Sequence, residues 1–214
     1  MIISFLNQKG GVGKTTLSIN AAYALADQGY KVILADSDPQ RSSMAWASVR
    51  NNANKPLSFN VIGIDSGSMR ETLTRMKQQD GYDFIVIDGA PRMTDLARAA
   101  IIISDLVVMP MQASGFDLWA TDELKSMIEE AKIYKPEIIH AVLLNRVVPN
   151  TNLAKDVLAD MQENGWTFFD TVIGQRQNFA NAATQGLTVF EVPNSKAAQD
   201  EILFMVDEIL KLKD

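Results

Sequence analysis

Residues 7–16, Asn-Gln-Lys-Gly-Gly-Val-Gly-Lys-Thr-Thr, set three glycines and two lysines just ahead of a pair of threonines. Residues of these types at this spacing can hold phosphate. Gly10, Gly11 and Gly13 let backbone amides approach an anion with no Cβ in the way. Lys14 supplies a cation for the β- and γ-phosphates of a nucleotide, and the Thr15 hydroxyl is a ligand for Mg²⁺. Val12 and Thr16 complete the cradle. The general pattern G-x-x-x-x-G-K-[ST] asks for glycine where this chain has Gln8, and it makes no use of Lys9. The second lysine is the feature that needs a reason.

Such a loop works only between a strand and a helix, where the helix N-terminus adds its own amides and dipole. The flanking residues predict that arrangement. "IISFLN" (1–7) is a β-branched, apolar run, and "KTTLSINAAYALADQG" reads as a helix over 14–28 closing at Gly29. Further strands are predicted at 31–36, 59–64, 83–89, 105–111, 139–145, 167–173 and 187–192. Most are apolar nearly throughout, as strands covered on both faces are. Helices are predicted at 40–54, 68–80, 93–103, 117–134, 151–164, 177–186 and 196–213. The alternation predicts an α/β three-layer sandwich, a mostly parallel sheet of about seven to eight strands with helices on both faces. No linker or repeat divides residues 1–214, so a single domain is expected.

Composition narrows the chemistry. With 214 residues, 47% of them hydrophobic and 21% charged, the chain can bury a sizeable core. It has no cysteine, which excludes disulfides, thiolate metal sites and cysteine-ligated iron–sulfur clusters. No apolar stretch approaches the roughly 20 residues of a membrane span, and no signal peptide is evident, so a cytoplasmic protein is expected. The net charge of −6 means that nucleic-acid binding would need a local basic patch.

The run Lys9-Gly10-Gly11-Val12-Gly13-Lys14-Thr15 resembles the deviant Walker A motif, KGGxGK[ST], of the ParA/MinD family of dimerising ATPases. The resemblance implies a role for each lysine: Lys14 serves its own nucleotide, and Lys9 reaches across a two-fold axis to the nucleotide of the partner. "ILADSDPQRS" (33–42) resembles the family's DxDPQ motif, which implies Asp36 near the Mg²⁺ shell and Asp38 orienting the attacking water. "FIVIDGAP" (84–91) resembles Walker B, with Asp88 holding a water on Mg²⁺ and Gly89, Ala90 and Pro91 sensing the γ-phosphate. "LLNRVVPNTNLAKDV" (143–157) resembles a further family segment, making Asn145 and its neighbour Arg146 candidates for the nucleotide. "PMQASGFDLWA" (110–120) and "IGQRQNFANAATQGLTVFEVP" (173–193) resemble later segments, the last ending on Pro193, also a nucleotide candidate. Catalysis would then rest on Lys9, Lys14 and Asp38, with ATP and Mg²⁺ as cofactors.

The chain begins at its first predicted strand, without a preceding helix-turn-helix. It thus resembles the short partition ATPases, which form ATP-dependent homodimers, bind DNA without sequence preference and answer to a separately encoded adaptor that stimulates hydrolysis. Plasmid, chromosome and large protein assemblies are the cargoes this implies, over the nucleoid. Residues 139–214 carry six basic side chains (Arg146, Lys155, Arg176, Lys196, Lys211 and Lys213) against ten acidic ones, so a DNA stripe would have to align Arg146, Arg176 and the C-terminal lysines. The last helix is apolar along one side but acidic on the other, which favours packing on the sheet over a MinD-like membrane anchor. His140, in an apolar strand, reads as core. The alternative from another class is a metabolic synthase on the same scaffold, of the cobyrinic acid a,c-diamide or dethiobiotin synthase type.

Overall fold

The structure is a computed structural model and describes residues 1–91, 95–112, 115–148, 161, 163 and 165–213, with the side chains of 115–121 left aside. Seven parallel strands form one sheet: β1 (Ile2–Phe5), β2 (Val32–Asp36), β3 (Asn60–Gly63), β4 (Phe84–Asp88), β5 (Leu106–Met111), β6 (Ile139–Val147) and β7 (Phe168–Gly174). Their order is β3-β2-β4-β1-β5-β6-β7. Seven helices are described: α1 (Lys14–Asp27), α2 (Ser42–Asn52), α3 (Ser66–Gln78), α4 (Asp95–Ile103), α5 (Gly115–Lys132), α6 (Gln177–Thr184) and α7 (Lys196–Lys211). The helix expected over 151–164 lies outside the described residues except at Met161 and Glu163.

Strand residues alternate between two cores, as a pleat requires. Ile3, Phe5, Phe84, Val86, Leu106 and Val108 face one side and pack with Leu17 and Leu25 of α1 and Met205 and Ile209 of α7. Leu6, Ile85, Ile87, Val107 and Met109 face the other side, with Met69 and Leu73 of α3, Ile101 of α4 and Ile128 of α5. Both faces are covered, which is why the strands read as unbroken apolar runs. The apolar side of α7 is spent on this core: Ile202, Met205, Val206 and Ile209 are fully buried.

The register does the positioning. Phe5 and Asp36 both pair with Asp88, so the carboxyl ends of β1, β2 and β4 finish level with one another. The chain after β1 leads toward β2, whereas the chain after β4 crosses to β5 on the far side of β1. Loops therefore part above β1 and β4, where open α/β sheets hold their ligands.

One expected strand is absent. Residues 187–192 form turns, not an eighth strand. Their backbone polar groups are satisfied by side chains of other elements. Trp46 Nε1 donates to Leu187 O (3.1 Å), Val189 N–H donates to Asn20 Oδ1 (3.0 Å), and Ser195 Oγ and Gln199 Nε2 both donate to Val189 O. Arg50 of α2 is almost wholly buried and closes the arrangement. It donates to Pro56 O, to Gly186 O and, through two nitrogens, to both oxygens of Glu191 at 2.8 Å. A β-branched run finds no sheet edge here because side chains have already taken its hydrogen bonds.

This bridge makes a stability prediction. Arg50→Ala leaves Glu191 and two carbonyls without their partner and is expected to lower the unfolding free energy by about 3–5 kcal/mol, measured by urea titration. Burial alone would raise the Glu191 carboxyl, but the hydrogen bonds of Arg50 and Thr188 more than offset it and hold it below its ordinary 4.5. A depressed carboxyl contributes stability above its unfolded value and loses it as pH falls through the folded one. The cost of Arg50→Ala should therefore shrink as pH drops below about 4.5.

Candidate functional site

The loop after β1 is shaped by its glycines and by Asn7. Gly11 and Gly13 adopt positive φ of 78° and 101°, where a side chain is strained. At Gly13 a Cβ would also lie 2.2 Å from Asn145 Nδ2. Asn7 is buried between strands. Its amide donates to Pro110 O of β5 (2.8 Å), and its Oδ1 accepts the Lys9 N–H (2.9 Å). The loop is thereby tied to β5 at its base and to β6 at its crest, where Asn145 Nδ2 donates to Val12 O (2.7 Å).

The two lysines occupy different surroundings. Lys14 is 6% exposed, and its Nζ donates to Asn7 O and Lys9 O, both at 3.0 Å. The ammonium thus fills the concavity that the loop would wrap around a phosphate. Burial pulls it below the ordinary lysine value, against the opposing pull of Asp88 and Asp38. Lys9 is exposed on the lip of the loop. One lysine is buried inside the cradle and the other is exposed.

The three predicted carboxylates converge on the cradle. Asp36, at the end of β2, accepts N–H groups from Asp38 (3.1 Å) and Met44 (3.0 Å), and burial raises its carboxyl against these bonds. Asp38 accepts the Gln40 N–H at 2.9 Å and forms the turn into α2. Asp88, at the end of β4, is fully buried. Burial pushes its carboxyl up to about 7, opposed by the Ser43 and Thr15 hydroxyls and reinforced by Asp36 and Asp38. Ser43 Oγ donates to Asp88 Oδ2 at 2.7 Å, while Oδ1 has no partner. The next residue is glycine of necessity: a Cβ at Gly89 would lie 2.7 Å from Phe5 O and 2.2 Å from Leu6 Cδ2. Ala90 and Pro91 follow, and residues 92–94 lie outside the described residues.

These groups fit Mg²⁺. A buried carboxylate oxygen without a partner, a second carboxylate and the Thr15 hydroxyl are hard oxygen donors of the kind that ion takes. Among the described residues no three acidic side chains or histidines form an all-protein cage. That also suits Mg²⁺, which is bound through few carboxylates together with phosphate oxygens. When bound, Mg²⁺ neutralises phosphate charge and orients the oxygens it contacts. The chain's own contribution is to gather the loop, Lys14 and the three aspartates at the carboxyl ends of β1, β2 and β4.

Beside the loop lies a cavity of about 730 Å³, lined by Gly13, Thr16, Asn145, Arg146, Arg176 and Phe179 among others. Asn145 and Arg146 are thus brought to one cavity wall, with Arg146 held at a positive φ of 55° by its N–H bond to Asn145 Oδ1 (2.9 Å). Pro193 does not line this cavity. It lies in the turn before α7, where its carbonyl accepts from Asn178 Nδ2 (3.4 Å). The segment 110–120 falls mostly outside the described side chains.

Sequence reasoning missed the residues that hold the acidic groups. Arg41 adopts left-handed φ (53°) and donates to Asp36 O (2.6 Å), to Ile64 O and to Asp65 (2.6 Å). Ser37 donates through both N–H and Oγ to Asp88 O. Ser43 was passed over for a similar reason. All three lie in or just after "DSDPQRSS", where no residue type alone signals what its side chain meets.

Comparison with known proteins agrees with this geometry. Residues 3–189 match the CobQ/CobB/MinD/ParA nucleotide binding domain. Maintenance of carboxysome distribution protein A of Halothiobacillus neapolitanus is 28% identical over 97% of this chain and 95% of its own. Chromosome-partitioning ATPase Soj of Thermus thermophilus is 29% identical over 96% of each. An ATP complex of Cyanothece McdA shares the fold with a TM-score of 0.79 at 18% identity, over 100% of this chain and 97% of that one. The chain belongs to the CobQ/CobB/MinD/ParA nucleotide-binding family and is a ParA/MinD-type ATPase.

Proposed function

We propose that this ATPase dimerises on binding ATP, binds DNA without sequence preference as that dimer, and uses slow hydrolysis to position a cargo over the nucleoid. The observation that carries the reading is the contrast between its two loop lysines. Lys14 is buried in the cradle, where it serves the chain's own nucleotide, and Lys9 is exposed on the lip, the position from which the resemblance to the deviant loop has it serve a partner's. Charge supplied in trans where the leaving phosphates become negative would make hydrolysis depend on the dimer. Asp38, held at the turn into α2, orients the attacking water in this scheme, and Thr15, Asp36 and Asp88 hold the metal shell. Asn145 and Arg146 take the base side of the nucleotide in the cavity they line.

The cargo is proposed from the relatives. Among them are a carboxysome distribution protein and a chromosome-partitioning ATPase. A large protein assembly or a replicon, coupled through a separately encoded adaptor that stimulates hydrolysis, fits both. The DNA surface is drawn differently from the expected stripe. Arg176 is already paired with Glu201 (2.6 Å), and Lys213 lies over the rings of Tyr30 and Phe84 at the amino ends of β2 and β4. Arg146 and Arg176 lie at the opposite, carboxyl end of the sheet. A single chain therefore offers no stripe made of these residues, and DNA binding would have to draw on basic side chains of both subunits.

Substituting the lysines should separate their roles. Lys14→Ala is expected to abolish tight ATP–Mg²⁺ binding by calorimetry. Lys9→Ala should leave it nearly intact but weaken the dimer formed with a non-hydrolysable ATP analogue, read by sedimentation. Each lost charge-assisted contact is worth roughly 1.5–3 kcal/mol, and a two-fold dimer carries two. Unchanged dimerisation by Lys9→Ala would remove the trans role. Asp38→Ala is expected to bind ATP yet turn over slowly, accumulating the dimer on chromatography; normal turnover would pass the water-orienting role to another residue. DNA binding should require ATP and fall with salt at a log–log slope near −5, for about six phosphates neutralised. Equal binding without nucleotide would refute the switch.

A further inference from the structure

The start of α2 touches two of the site's three buried carboxylates. Its backbone reaches Asp36, through the Met44 N–H at 3.0 Å, and its side chain reaches Asp88, through Ser43 Oγ at 2.7 Å. The turn entering the helix is clamped by Arg41, which donates to Asp36 O, Ile64 O and Asp65. Ser43 and Asp88 are both fully buried, so their hydrogen bond exchanges with no water in this state. It occupies Oδ2 and leaves Oδ1 buried and unpartnered. The same carboxylate is acted on by the Thr15 hydroxyl and by Lys14, so it faces the phosphate loop.

An unpaired buried carboxylate oxygen is costly unless something else completes it. A carboxylate is also free to rotate about its terminal torsion, where barriers are broad and low. Fixing one oxygen fixes the direction of the other. We propose that Ser43 is a positioning residue for Mg²⁺ binding: its hydroxyl holds Asp88 Oδ2 so that Oδ1 is presented to the metal shell. The neighbouring Ser42 has the same chemistry but is exposed, so it provides an internal control.

The inference rests on the ATP–Mg²⁺ assignment of the site, and the experiment tells the two apart. Equilibrium affinity for a fluorescent ATP analogue is measured with Mg²⁺ and again with EDTA, for the wild-type chain, Ser43→Ala, Ser43→Thr and Ser42→Ala. The ratio of the two affinities does not depend on the fraction of chain that is folded. Ser43→Ala is expected to lower that ratio by about tenfold or more, the effect of one hydrogen bond to a charged group. Ser42→Ala should leave it unchanged, and Ser43→Thr, which keeps the hydroxyl, should restore most of it. A ratio equal to wild type in Ser43→Ala overturns the proposal. So does loss of binding under both conditions, because Ser43 would then hold the fold and not the metal. If the wild-type ratio itself is near one, the metal assignment fails before Ser43 is reached.

Discussion

A lysine ammonium buried at the carboxyl end of β1 sets the terms for everything around it. An ion of this kind is costly to take from water unless oxygens surround it. Lys14 meets the carbonyls of Asn7 and Lys9, and Asp88 and Asp38 lie near enough to favour its charge. The loop can curl back onto its own lysine only because Gly11 and Gly13 take positive φ. Asn7, buried and bonded to β5, keeps the base of the loop in place. A phosphate in such a cradle would offer Lys14 full negative charges in place of carbonyl dipoles.

The acidic side of the site answers the same constraint from the other direction. Asp36 and Asp88 end level on neighbouring strands because β2 and β4 pair in that register, and burial this deep pushes both carboxyls toward the neutral form, with the charge of Asp36 adding to the rise at Asp88. What keeps them usable is the start of α2. A backbone amide, a serine hydroxyl and an arginine clamp converge there within four residues, 41–44. The helix is thus as much a part of the metal side as the strands that carry the aspartates. It is anchored at its far end as well, by the Arg50–Glu191 bridge to the turn that follows α6.

The phosphate loop and the parallel α/β class were legible without coordinates, and the three aspartates were singled out through resemblance to family motifs. Loop and aspartates lie in short contiguous segments whose residue types carry their own chemistry: glycine for backbone freedom, lysine for charge, a carboxylate after four apolar residues for delivery to a strand end. Alternation of apolar runs with amphipathic ones carried the layers, because strands buried on both faces have no polar side to show. Seven of the eight expected strands exist; the eighth reading, at 187–192, took β-branched composition for a place in the sheet.

What the chain decided only on folding is which partners those residues meet. Asn20, Trp46, Ser195 and Gln199 bond to the 187–192 backbone, and Arg50 holds Gly186 O and the Glu191 side chain; Asn20, Trp46 and Arg50 come from more than a hundred residues away. Of two adjacent serines, Ser43 turns inward to Asp88 and Ser42 outward, a choice made by the phase of α2 against the sheet. Pro193 was grouped with the nucleotide by its place in a motif; in the fold it lies in the turn before α7, bonded to Asn178 beside the cavity that Asn145 and Arg146 line, and is not itself part of the lining. Residue type and spacing determine what a side chain is able to do. Long-range packing and strand register determine what it touches, and these depend on pairings that no local stretch of sequence contains.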